Sequence, residues 1–263
     1  MKRNMGFIIT CVSFFIKIKV MKIIKASEKH THGNSIFHVE ILYPGANLGK
    51  TDTGFLTIGR IDHALFKPPG LVPMHPHQDD EILSYIRSGK MIHKDSTGHE
   101  EHLNGSYMMM MNAGSGISHE ESAEEDVEML QIFMRPSEND LPPKVQFYQF
   151  ENIYSENIWR LVAGNAENAP LKLRVDSNIF DIRLSKSTPA KVPENNAEII
   201  NFLYCFNGNI KIGNETITKG DSVIFEENIM LEAKTESDLI LFQIKKDAEY
   251  SDTGMFSGNK FTR

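Results

Sequence analysis

The chain has 263 residues, 40% of them hydrophobic and 24% charged, with a formal net charge of −7. That length suits one large domain or two of roughly 130 residues, and either half is long enough to bury a core without disulfides or a structural metal. The acidic balance, with Lys and Arg scattered rather than clustered, excludes a basic nucleic-acid-binding surface.

From the N-terminus, Lys2 and Arg3 precede an apolar run from Met5 to Ile16, and Lys17 and Lys19 follow it. Positive residues before a short apolar stretch resemble a signal peptide, but no small-x-small cleavage step follows. The run is also shorter than the ~20 residues that span a bilayer. Residues 1–20 are therefore expected to be an extension outside the domain, or to lie upstream of a true start at Met21. Cys11 and Cys205 are the only cysteines, and neither sits in a C-x-x-C or Cys/His cluster. No disulfide framework or redox pair is written here. A reducing, cytoplasmic location with no membrane association is the expectation.

Beyond Met21, helix-period segments are hard to find. Short runs rich in Val, Ile, Phe, Tyr and Leu recur at Ser35–Leu42, Leu56–Ile61, Ile82–Ile86 and Val127–Met134 in the first half. The second half has Asn178–Leu184, Ile199–Phe206, Asn209–Ile212, Ser222–Phe225 and Leu239–Ile244. Short strands at near-regular spacing predict an all-β barrel or sandwich. Lys94–Gly98 and Gly213–Glu215 carry the turn residues that hairpins demand. The acidic stretch Glu120–Glu128 reads as a solvated loop.

A repeat is also present. Tyr85-x-x-x-Gly89, a hairpin and Gly105 in the first half match Tyr204-x-x-x-Gly208, a shorter hairpin and Gly220 in the second. One small barrel has been used twice, with the join between Arg135–Lys144 and Gly164. The expected units are residues 21–148 and 149–263. Phe180, Ile200, Phe202, Ile224 and Phe242 are the expected interior of the second.

All ten histidines lie at or before His119, so the first half is equipped for something the second is not. His75-Pro76-His77 and His119-Glu120-Glu121 each place two donors at i and i+2, on one face of a strand. Facing one another inside a barrel, three imidazoles and a carboxylate would suit Fe, Mn, Co, Ni, Cu or Zn. The second barrel is expected to hold no metal. His93, His99 and His102 flank the Gly98 turn and are expected to be solvated. His30, His32, His38 and His63 are isolated. Asp79 and Glu81 share a face with His75 and His77 if the strand runs unbroken, which makes Glu81 a ligand, a partner of a ligand or a rim residue. H-x-H-x-D also opens zinc β-lactamase-type sites, but those need a His where this chain has Asp80.

Pro73–Glu81 (PMHPHQDDE), the Tyr85–Gly89 step, His93–Ser96 (HKDS) and Ala113–Glu121 (AGSGISHEE) together resemble the pirin family, over about Met21 to Lys246. The resemblance implies a bicupin fold, two cupin-type β-barrels in tandem with few short helices. It implies one divalent transition metal in the N-terminal barrel, with Fe2+ the expected ion, held by His75, His77, His119 and Glu121. In that family Glu81 is present without being the usual ligand. Two functions are implied. One is a flavonol (quercetin) 2,3-dioxygenase, taking a small aromatic substrate and dioxygen, with Glu121 as general base. The other is a non-catalytic, redox-sensing co-regulator that binds a protein partner. Met108–Met111 stand where family members carry an aromatic residue, and Ser115 where they carry Arg. Both departures are expected to border the pocket.

Overall fold

A computed structural model describes residues 21–194 and 196–262; the proposed N-terminal extension, with Cys11, lies outside the described residues. The described residues are built almost wholly of strands, with one helical turn at Pro44–Asn47 and a 3-10 turn at Ala26–Glu28. Seven of the nine apolar runs of the sequence fall within strands, and the other two, Ser35–Leu42 and Leu56–Ile61, enter theirs at Phe37 and Ile58. No helix among the described residues is long and apolar enough to cross a membrane.

The strands form two curled β-barrels in tandem, the bicupin arrangement. The first is one 11-stranded sheet running from His30–Gly33 at one edge to Leu71–His77 at the other. The second pairs a 7-stranded sheet with a 4-stranded one. The ends of the chain cross over between the halves. Lys22–Ile24 pairs antiparallel with Ser222–Phe225 in the second barrel, and Met255 donates its N–H to the Gln78 carbonyl in the first.

The repeated Tyr-x-x-x-Gly step has a structural cause at each end. Gly89 and Gly208 have φ of 78° and 98°, and a Cβ there would lie 2.2 Å from Asp126 O or 2.1 Å from Ser237 Oγ. Only glycine takes that turn at that distance from the neighbouring chain. The tyrosines reach across between barrels: Tyr85 donates to Asp181 at 2.8 Å, and the Tyr204 hydroxyl lies 2.8 Å from His63 Nδ1.

Three apolar clusters result. One fills the first barrel (Ile82, Ile86, Met109, Met111, Phe133) and one the second (Leu203, Cys205, Val223, Leu239, Leu241). The third lies between the barrels and joins Leu83, Tyr85, Met108, Met110 and Ile132 to Phe202, Tyr204, Ile224 and Phe242. This corrects the expected interior of the second barrel. Phe180 packs against that barrel's own core, but Phe202, Ile224 and Phe242, with Ile200 beside them, belong to the interface. Strands covered on both faces are apolar throughout, so alternation does not tell the inner face from the outer.

Two further expectations change. The acidic run is no loop: Ile117–Ala123 and Val127–Met134 are strands, and only residues 124–126 turn between them. Ser115 is exposed on a turn, so the Arg-to-Ser departure does not line the barrel interior. Of the Met departures, Met109 and Met111 face that interior.

Candidate metal centre

Strand Leu71–His77 pairs antiparallel with Ile117–Ala123, which sets His75 opposite His119 and His77 opposite Ile117. The register slips between His119 and Glu121. On its other side the same strand pairs with Lys90–Asp95, with His119 opposite Asp95 and Glu121 opposite His93. Period-2 alternation then brings the imidazoles of His75, His77 and His119 to one place. Their ring centroids lie 4.9 Å (75–77), 4.5 Å (75–119) and 4.8 Å (77–119) apart.

Proton positions follow from the neighbours. His75 Nδ1 is 2.8 Å from the Pro73 carbonyl, which only accepts, so the proton is on Nδ1 and the lone pair on Nε2. His77 Nδ1 is 3.2 Å from Asp80 Oδ2. Asp80 also accepts the N–H groups of Phe256 and Ser257 and the Ser257 hydroxyl, so it too acts as acceptor and leaves His77 with an Nε2 lone pair. His77 Nε2 stands 3.1 Å from His119 Nε2. Burial lowers the pKa of His75, and burial with the neighbouring imidazoles drives that of His119 well down. Imidazoles that bring ring nitrogens to one place are a donor set for a borderline transition ion, and His75, His77 and His119 form one such group, with ligand atoms within 4.8 Å of one another.

Glu121 stands in a second group, with His93 and His119. Its Oε1 is 4.0 Å from His119 Nδ1, and Gln131 donates to its two oxygens at 3.1 and 3.2 Å. Burial, against the pull of Gln131, pushes the Glu121 carboxyl up to about 7. His93 is not solvated as expected but fully buried. Strand alternation turns it inward in phase with Met91, and its Nδ1 lies 3.4 Å from His119 Nδ1. His102 is exposed as expected, while His99 lies 3.1 Å from Asp95. Glu81 is paired elsewhere, because the strand breaks at Asp79, where φ is +53°. Beyond the break Glu81 is fully buried and meets Arg174 at 2.7 Å.

Around the histidines, Phe256 lies over His77 with centroids 4.7 Å apart and stacks on Phe133 at 5.6 Å. The Arg60 guanidinium sits 4.7 Å from the Phe133 centroid and pairs with Asp62. Burial pushes the Asp62 carboxyl up to about 6. His75 is only half-buried, whereas His77 and His119 are buried, so the centre opens on the His75 side.

Comparison with known proteins now bears on this geometry. A family model for pirin matches residues 36–134. A quercetin 2,3-dioxygenase of Escherichia coli O157:H7 is 29% identical over 175 residues, covering 65% of this chain and 74% of that protein. A pirin-like protein of Caulobacter vibrioides is 38% identical over 116 residues, 43% of this chain and 50% of that one. The crystal structure of YhhW from E. coli superposes with a TM-score of 0.76 at 25% identity, over 86% of this chain and 97% of that one. A structure of bacterial pirin YhhW in complex with nickel(II) gives the same TM-score at 23% identity, over 86% of this chain and 99% of that one. The chain is a pirin-like cupin protein.

In this pirin-like chain the matched region holds both candidate ligand groups. Phe256 and Ser257, which touch His77 and its partner Asp80, lie far outside it. Sequence spacing had no means of finding them, since they return from the far end of the chain. His93 and Asp95 did carry a signal, the same i, i+2 phase as the buried Met91, which proximity to the Gly98 turn masked.

Proposed function

We propose that this pirin-like chain holds one divalent transition metal on His75, His77, His119 and Glu121 and acts as a dioxygenase on a flavonol-like aromatic substrate. Quercetin 2,3-dioxygenation is the specific reaction. The observation that carries the metal reading is the gathering of ring nitrogens of His75, His77 and His119 within 4.8 Å of one another, with His75 and His77 already committed through Nδ1 to Pro73 and Asp80. Glu121 is the member of the set that has to move, coming round His119 from the second group. The reaction assignment rests on likeness to the quercetin 2,3-dioxygenase of E. coli. Once bound, the ion would supply the Lewis acidity and dioxygen chemistry that no side chain carries.

The protein's own part is positional and protolytic. Phe256, partly exposed and lying against His77, offers a flat apolar surface suited to an aromatic substrate, and the half-exposed His75 marks the way in. Glu121 is the carboxylate that would take the acidic hydroxyl proton of a flavonol as general base.

The test is anaerobic purification, elemental analysis, then quercetin with dioxygen, following oxygen uptake and loss of flavonol absorbance. Glu121→Gln should lower turnover by ~10²–10⁴-fold at matched metal content. If protein loaded in turn with iron, manganese, nickel, cobalt and copper consumes no dioxygen with any flavonol, the chain is a metal-binding protein and not this enzyme. Full metal occupancy after combined His75→Ala and His119→Ala changes would reject the site itself.

A further inference from the structure

Resting on the metal reading above, we infer that His93 and Asp95 form a proton-ordered relay that fixes His119 as an Nε2 ligand, which makes His93 a positioning residue. The argument is a count of protons. Asp95 lies at the centre of donors: Thr97 gives its N–H at 2.8 Å and its hydroxyl at 2.6 Å to Oδ1. His93 Nε2 faces Oδ2 at 2.9 Å. A carboxylate receiving these has only lone pairs to offer, so His93 carries its proton on Nε2. The neutral ring then presents a bare Nδ1 to His119 Nδ1, 3.4 Å away. A proton on His119 Nδ1 meets that lone pair, so the relay favours the Nδ1–H tautomer, in which His119 donates to His93. The lone pair of His119 is left on Nε2, aimed at His77.

The same count exposes a deficit. With one proton on each of the rings of His93, His119 and His77, the three protons are committed to Asp95, His93 and Asp80 respectively. None is left for the 3.1 Å contact between His77 Nε2 and His119 Nε2. A cation belongs between them, and the relay ensures that a proton already on His119 does not stand in its place. His93 is not itself a ligand of that ion, because it meets His119 on the ring nitrogen opposite the one facing His77. Partners that orient a ligating imidazole typically contribute about 10–100-fold in metal affinity.

Three variants test the relay on the full chain. His93→Leu removes both acceptor and donor. His93→Gln restores an oxygen for His119 and an N–H for Asp95. Asp95→Asn offers His93 a donor, inviting its ring to reverse. Two readouts are needed: the histidine tautomers of metal-free, 15N-histidine-labelled protein by long-range proton–nitrogen correlation, and Ni2+ affinity by chelator competition. In the wild type His119 should be the Nδ1–H tautomer. His93→Leu should lose that preference and weaken Ni2+ binding about 10–100-fold, His93→Gln should return to within a few-fold, and Asp95→Asn should shift His119 towards Nε2–H. A wild-type Nε2–H tautomer at His119, or His93→Leu binding Ni2+ like the wild type, overturns the relay. Equal losses in His93→Gln and His93→Leu, with both still folded by circular dichroism, would make His93 a ligand and overturn it too. Should His93→Leu not fold, the wild-type tautomer and Asp95→Asn decide. A wild type that binds no Ni2+ rejects the metal reading, while the tautomer measurement still decides the relay.

Discussion

Around His119, burial works in opposite senses on acids and bases. It lowers the pKa of His75, His93 and His119, which keeps their lone pairs free, and it raises Glu121 to about 7. At Asp95 burial also opposes ionisation, yet hydrogen bonds from Thr97, His93 and His99 outweigh it and hold that carboxyl down at about 2. A consequence for stability follows in the metal-free protein. The folded chain grips the Glu121 proton more tightly than the unfolded chain, whose ordinary value is 4.5. This contribution is complete below 4.5 and is lost as pH rises through about 7. Glu121→Gln should therefore match the wild type at pH 4. At pH 8 it should be more stable, by at most about 3 kcal/mol, since each pKa unit is worth about 1.4 kcal/mol. Urea midpoints at the two pH values check this, and equal midpoints at pH 8 would refute it. The i, i+2 spacing made His75, His77, His119 and Glu121 legible as donors. It could not show that Glu121 would stand beside His93, because that depends on Lys90–Asp95 pairing alongside its strand.

At the scale of elements, strand Ile199–Asn207 shows where reading a sequence stops. Its existence is plain from an apolar run, but Phe202 and Tyr204 face one barrel while Leu203 and Cys205 face into the other. Both faces are dry, so nothing polar marks the phase. Phe202→Ala should cost about 3–5 kcal/mol, the range for truncating a buried Phe, and should loosen the contact between barrels, read by denaturant unfolding and by proteolysis within residues 135–158. The C-terminal segment is the opposite case, with little pattern and a definite role. Phe256 and Ser257 hold Asp80, which orients His77. Removing residues 252–263 should weaken Ni2+ binding by about tenfold or more, measured by chelator competition. Unchanged affinity in a folded truncation would show that Asp80 needs no help from the tail.

The whole molecule is a pair of similar barrels locked by non-equivalent clasps. Tyr85 of the first reaches Asp181, where Arg87 and Arg160 also converge. Tyr204 of the second sits in a chain from Lys29, at 2.8 Å, through His63 to Glu128, at 2.9 Å. Lys219 of the second barrel meets the same Glu128 oxygen at 2.6 Å. His63, held neutral by burial, passes a hydrogen bond to Glu128, and Lys219 brings the charge. The His63 hydrogen bond, followed by Lys219, outweighs burial and pulls the Glu128 carboxyl down to about 2 from an ordinary 4.5. A depressed carboxyl stabilises the fold above 4.5 and loses that contribution as pH falls through about 2. Glu128 is partly exposed, so solvent screening limits the effect to about 1 kcal/mol. For a chain of this size that is about 2–4 °C. Glu128→Gln should therefore melt about 2–4 °C below the wild type at pH 7. The gap should narrow below pH 4.5 and close near pH 2, as measured by calorimetry across that range. A gap that stays constant with pH would mean that Glu128 acts through packing and not through its charge.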